Sequence, residues 1–73
     1  MSSKPAHRSR LGDAIRRRRR KAGFSQELLA EKADLNSKYL SEVERGNKTI
    51  SVDSLARIAA ALDCRLDQLF RGM

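Results

Sequence analysis

The sequence predicts an all-α domain built from five short helices, and three observations carry that reading. Apolar residues recur at helical spacing, most cleanly as Leu55, Ile58, Ala59 and Leu62 at i, i+3, i+4 and i+7. No stretch alternates with the period of two that a half-buried strand requires. Ser25 and Ser51 stand where helix N-caps belong, and Gly23 and Gly46 stand where helices end. Seventy-three residues, 40% of them apolar and only 4% aromatic, make one small domain with too little core for a substrate cleft as well as a scaffold.

The elements follow in chain order. Residues 1–8 are polar and basic, contain the single proline, Pro5, and are expected to be disordered, leaving residues 9–73 as the domain. A first helix is expected over 9–22, capped by Ser9 and stopped by Gly23, with Leu11, Ile15 and Ala22 inward and Arg18 and Arg19 interrupting the stripe. Phe24 precedes the Ser25 cap as an apolar anchor, and the second helix carries Leu28, Leu29 and Ala33. Residues 34–36 form a tight turn. The third helix, over 37–45, turns Leu40 and Val43 inward and stops at Gly46. After the polar loop 47–50, Ser51 caps a fourth helix running to about residue 62, with Asp53 in its first turn. A last helix over 66–71 carries Leu66, Leu69 and Phe70.

Two short helices with a three-residue turn, over residues 25–46, are a helix-turn-helix, whose second helix is shaped for the major groove of DNA. Charge points the same way. The chain carries +7, yet residues 1–23 hold +8 and the rest −1, so the excess lies wholly in the tail and first helix. A one-sided basic surface on a small domain favours nucleic acid as partner. No nucleophile–base pair, glycine-rich phosphate loop or Cys/His cluster is present, so no enzyme, metal site or cofactor is expected. Cys64 has no second cysteine to pair with, and no apolar run approaches the ~20 residues of a membrane span. With no apolar signal segment either, a cytoplasmic protein is the expectation.

On the third helix, Ser37, Lys38, Ser41 and Arg45 face outward, Glu42 borders that face, and Asn36 lies just before it. Side-chain chemistry gives Lys38 to guanine O6 and N7, Glu42 to cytosine N4, and Ser37 or Ser41 to either base type. Tyr39 either packs its ring at the core edge or sends its hydroxyl to a phosphate. Ser25 and Gln26, at the N-terminus of the second helix, suit a phosphate. Arg45, Asn47, Lys48 and Thr49 flank the groove on the other side, Asn36 is a further candidate for phosphate, and Arg8 and Arg10 can reach neighbouring phosphates or a minor groove. Leu66, Leu69, Phe70 and Met73 exceed what one terminal helix buries and are expected at a homodimer interface, although Leu66 and Leu69 can instead close the core.

Leu11, Ile15, Arg19, Gly23, Ser25-Gln26, Leu29-Ala30, YLSEVERG and SVDSLARIAAALD, in that order, resemble the phage repressor/Cro-like (Xre-type) DNA-binding domains over residues 9–71. The resemblance implies a compact, five-helix, lambda-repressor-like fold with the helix-turn-helix in its second and third helices. It implies base contacts at Ser37, Lys38, Ser41 and Glu42, a backbone clamp at Gln26, and a partly buried Arg19–Glu44 salt bridge. It further implies a sequence-specific transcriptional regulator that binds double-stranded DNA as a homodimer on a palindrome. The length is most like a stand-alone regulator such as a restriction-modification controller protein. The alternative is an antitoxin whose partner is a toxin. Three positions depart from the pattern: Asp34 stands at a turn position that is usually Gly, Arg18 at one usually apolar, and Arg65 where a Ser or Thr cap is common.

Overall fold

The computed structural model describes residues 6–71 as five helices: α1 (Ala6–Lys21), α2 (Gln26–Lys32), α3 (Ser37–Glu44), α4 (Val52–Ala61) and α5 (Leu66–Arg71). Each helix contributes one side chain that is fully excluded from solvent, namely Ile15, Leu29, Leu40, Ile58 and Leu69. Complete burial of such a side chain is worth about 1.5–3 kcal/mol. The five meet in one core with Ala30, Ala33, Val43, Leu55 and Ala59. α3 packs on both α1 and α2, and α4 backs α2 and α5.

Four helices end the same way. The residue after each C-cap takes positive φ: Gly23 at 78°, Asp34 at 55°, Gly46 at 77° and Asp63 at 55°. In each case its N–H and the next one turn back to carbonyls of the last turn, as in Asp34 to Glu31 (3.1 Å) and Leu35 to Ala30 (2.8 Å). This satisfies carbonyls that have no partner inside the helix. The glycine missing at residue 34 is thus replaced by an aspartate in the left-handed conformation, which a short polar side chain tolerates.

The helix starts also have identifiable causes. Ser25, Asn36 and Ser51 accept backbone N–H groups of α2, α3 and α4 in turn. Arg65 offers no cap, but its own N–H donates to Gln68 Oε1 at 2.7 Å, half of a capping box.

Several expectations need correction. α1 begins at Ala6, so residues 6–8 are helical and Ser9 is not a cap; alanine and arginine favour helix and nothing between Ala6 and Ser9 breaks it. Residues 1–5 of the expected tail lie outside the described residues. Ala22 is exposed beyond the end of α1, and Ala14 is buried in its place. Leu28 is exposed, because Leu29 and Ala30 supply the buried face of α2. Arg18 is half-buried and lines a shallow surface pocket with Ala14, Arg17 and Lys21. Gly12, not singled out from the sequence, sits where a Cβ would be 2.6 Å from the Glu44 carbonyl oxygen and closer still to that of Val43. Only glycine lets α1 approach the end of α3 so closely.

Candidate nucleic-acid interface

The site is the outward face of α3 with its two flanks, and a buried polar lattice fixes it to the rest of the fold. Arg19, 8% exposed, meets Glu44, 3% exposed. Nε donates to Oε2 at 2.7 Å and Nη2 to Oε1 at 3.1 Å, while Nη1 donates to the Phe24 carbonyl at 2.8 Å. Gln26 Nε2 adds a donor to Glu44 Oε1 at 3.1 Å. The buried carboxylate therefore collects three donors from α1 and α2, which is what a charge withdrawn from water requires. α1, α2 and α3 are cross-tied at one point behind the outward face of α3. A second tie comes from α4: Arg57 Nη1 donates to the Asp34 carbonyl at 3.3 Å and lies 3.7 Å from its carboxylate, holding the turn between α2 and α3.

On this support the outward residues are arranged much as the helical spacing implies. Ser37 and Lys38 are exposed, Ser41 and Glu42 half-buried, and Arg45 exposed. Asn36 spends its side-chain oxygen on the N–H groups of Lys38 (2.8 Å) and Tyr39 (3.3 Å), so its amide nitrogen is left to donate outward. Ser25 Oγ accepts from the Leu28 N–H at 3.0 Å, which leaves its hydrogen for another acceptor. Tyr39 does what the first alternative foresaw: its ring packs against the core, and its hydroxyl donates to the Thr49 carbonyl at 3.3 Å. Lys48 and Thr49 are exposed, and Asn36, Lys38, Tyr39, Glu42 and Lys48 line a shallow depression. Ser9 packs against Gly46, so the first turns of α1, which carry Arg8 and Arg10, stand beside the loop that follows α3.

Glu42 is not a free acceptor. Its Oε1 lies 2.9 Å from Arg45 Nη2, and its Oε2 accepts from Asn47 Nδ2 at 3.1 Å. Asn47 lies five residues away past a helix end, so helical periodicity gave no signal for that contact. Gln26 is likewise half-committed, to Glu44. Arg57 was also missed, although an aspartate at a turn position that favours glycine is itself a signal to look for a cation. Elsewhere on α1, Asp13 pairs with Arg16 at 2.7 Å and Arg17 at 3.1 Å. The hydrogen bond from Arg16 holds the Asp13 carboxyl below its ordinary value, helped by the charges of Arg17 and Arg20.

The residues expected at a dimer interface separate. Leu69 is fully buried in the chain's own core and cannot meet a partner, because α5 packs against α1 and α4. Leu66 is half-buried and Phe70 is 49% exposed; four residues apart, they share one side of α5. Val52 at the start of α4 is also exposed. Met73 lies outside the described residues. Among the described residues no three His, Cys, Asp or Glu gather as metal ligands, and no helix is long and apolar enough to cross a membrane.

Comparison with known proteins places this geometry. The helix-turn-helix family profile matches residues 15–69. The control protein C.BamHI of Bacillus amyloliquefaciens is 40% identical over 53 residues, 71% of this chain, and the chain spans 65% of that relative's length. The crystal structure of the restriction-modification controller protein C.AhdI from Aeromonas hydrophila superposes with a TM-score of 0.89 at 35% identity, covering 90% of this chain and 100% of that one. The biofilm master regulator SinR, solved in complex with DNA, superposes with a TM-score of 0.79 at 34% identity, over 82% of this chain and 97% of that one.

Proposed function

The chain belongs to the Xre-type helix-turn-helix family, and on that premise we propose that it is a sequence-specific DNA-binding transcriptional regulator, cytoplasmic and acting as a homodimer on a palindromic operator. The observation that carries this reading is the α3 face, polar, basic at both ends and fixed from behind by the Arg19–Glu44–Gln26 lattice. A helix presented this rigidly enters the groove without first being ordered. Similarity to regulators and controller proteins, one of them solved on DNA, supports the same function.

Phosphates set the register. The N-terminus of α2 with Ser25 and Gln26 takes one backbone, while Asn36, Arg45, Asn47, Lys48 and Thr49 take the other. Lys38 then donates to guanine O6 and N7, and Ser37 and Ser41 take part in hydrogen bonds at neighbouring base edges. A good base pairing of this kind discriminates by about 1–3 kcal/mol. That is little against a genome of competing sites, so two copies reading one palindrome answer the need. Exposed Phe70 and half-buried Leu66, on one side of α5, offer the apolar surface on which a second copy would seat.

Selection of bound duplexes from a random library at near-physiological salt tests the proposal. An enriched inverted repeat, with half-sites about 10 base pairs apart, is the expected outcome. Phe70→Asp should convert the dimer to monomer in sedimentation equilibrium. Salt-sensitive retention with no enriched motif would mean that the arginines bind phosphate alone, and a monomeric wild-type protein would remove the homodimer.

A further inference from the structure

Glu42 places a carboxylate on the face that we assign to DNA, where an isolated negative charge would repel phosphate. Its contacts give it another task. Oε1 lies 2.9 Å from Arg45 Nη2 and Oε2 accepts from Asn47 Nδ2 at 3.1 Å, so both oxygens are engaged. Arg45 Nη2 also donates to Ser41 Oγ at 3.0 Å. The backbone N–H of Asn47 donates to the Glu42 carbonyl at 2.9 Å, so the turn that ends α3 fixes the brace from below. The Glu42 side chain is 23% exposed and that of Arg45 is 57% exposed; the acid is the covered partner and the base the presented one.

We propose, on the reading that this face binds DNA, that Glu42 is a positioning residue rather than a reader of cytosine. It holds Arg45 and Asn47 in place for phosphate, and through Arg45 it engages one lone pair of the Ser41 hydroxyl. A long side chain held in advance loses less freedom when it binds. The Ser41 hydroxyl has one hydrogen; by accepting from Arg45 it keeps that hydrogen for donation. Ser41 can therefore donate to acceptors, purine N7, guanine O6 or thymine O4, while one lone pair has already been taken up by Arg45. The chain of contacts runs from a covered acid through a phosphate-binding base to a base-reading hydroxyl.

Fluorescence-anisotropy titrations of the full chain test this against the selected duplex and a panel of its single-base variants. Glu42→Ala should weaken the selected duplex and every variant altered away from the base pair facing Ser41 by a similar factor, about 2–10-fold. The loss caused by Arg45→Ala should shrink by a comparable factor once Glu42 is gone, and preference at the base pair facing Ser41 should flatten. Glu42→Gln keeps an acceptor for Asn47 without the charge and should fall between wild type and Glu42→Ala; it also serves if the alanine variant melts early. A loss confined to one cytosine-bearing base pair would make Glu42 a base reader and overturn the proposal. Additive losses from Glu42→Ala and Arg45→Ala, or tighter binding of Glu42→Ala to all duplexes, would overturn it as well. Those outcomes leave DNA binding intact, whereas a wild-type chain that selects no duplex would remove the underlying reading and the proposal with it.

Discussion

Replacing Arg19 with alanine deletes three hydrogen bonds at one point, two to Glu44 and one to the Phe24 carbonyl. Glu44, 3% exposed, would keep one donor, the Gln26 amide at 3.1 Å. Stranding one partner of a buried ion pair costs about 3–5 kcal/mol, because the remaining charge can neither reach water nor find a counter-ion. At roughly 0.05–0.15 kcal/mol per residue, a 73-residue domain has about 4–11 kcal/mol in total. The substitution therefore consumes between roughly a quarter and all of the stability. With about 4–8 °C per kcal/mol for a domain of this size, the melting point should fall by at least about 12 °C. Urea titration followed by circular dichroism at 222 nm reads the change as a lower midpoint. The double variant Arg19→Met with Glu44→Met separates charge from packing: two apolar side chains of similar volume should recover most of the loss. An Arg19→Ala variant within about 1 kcal/mol of wild type, or a double variant as weak as the single, would refute the reasoning.

Three further outcomes follow from local geometry. Gly12→Ala should destabilise by about 1–3 kcal/mol, although alanine usually improves a helix interior, because the new methyl meets the Val43 and Glu44 carbonyls; a higher melting point would contradict the packing of α1 on α3. Asp34→Gly should gain about 0.5–1 kcal/mol in the same melt by relieving an aspartate at φ 55°, since the exposed Arg57 ion pair it loses contributes little and the Arg57 bond to the backbone carbonyl remains; a loss would show that the carboxylate matters more than the strain. Asp13 has a folded-state pKa below its unfolded value, so its pairing with Arg16 stabilises above the unfolded pKa and is lost as pH falls through the lower folded one. Wild type should thus melt above Asp13→Asn at neutral pH and level with it in acid, once the pH lies below the lowered folded-state pKa; a gap that persists in acid would assign the effect to packing.

Much of this fold is legible in the sequence because its signals are local. Ser25, Asn36 and Ser51 sit next to the helices they cap, and each ending depends on one residue able to take positive φ. The start of α1 is not legible, since nothing between Ala6 and Ser9 marks a boundary and helix continues by default. On α5, Leu69 and Phe70 are adjacent and equally apolar; only the positions of α1 and α4 decide that Leu69 enters the core and Phe70 stays out. The Arg19–Glu44 pair spans 25 residues and the Arg57–Asp34 contact 23. Spacing along one helix cannot reveal either: the first came from the family resemblance, and the second needed the packed structure. The outward face of α3 was legible by periodicity, but the commitment of Glu42 to Arg45 and Asn47 required the turn that closes the helix.

Backbone amide shifts of the ¹⁵N-labelled chain during titration with the selected duplex would locate the contact surface residue by residue. Perturbations concentrated at Ser25, Gln26, residues 36–42 and residues 45–49 are expected, with the outer side of α4 unchanged. Shifts confined to residues 16–21 of α1, with α3 silent, would mean that the arginine run holds DNA and that the helix-turn-helix face does not read it.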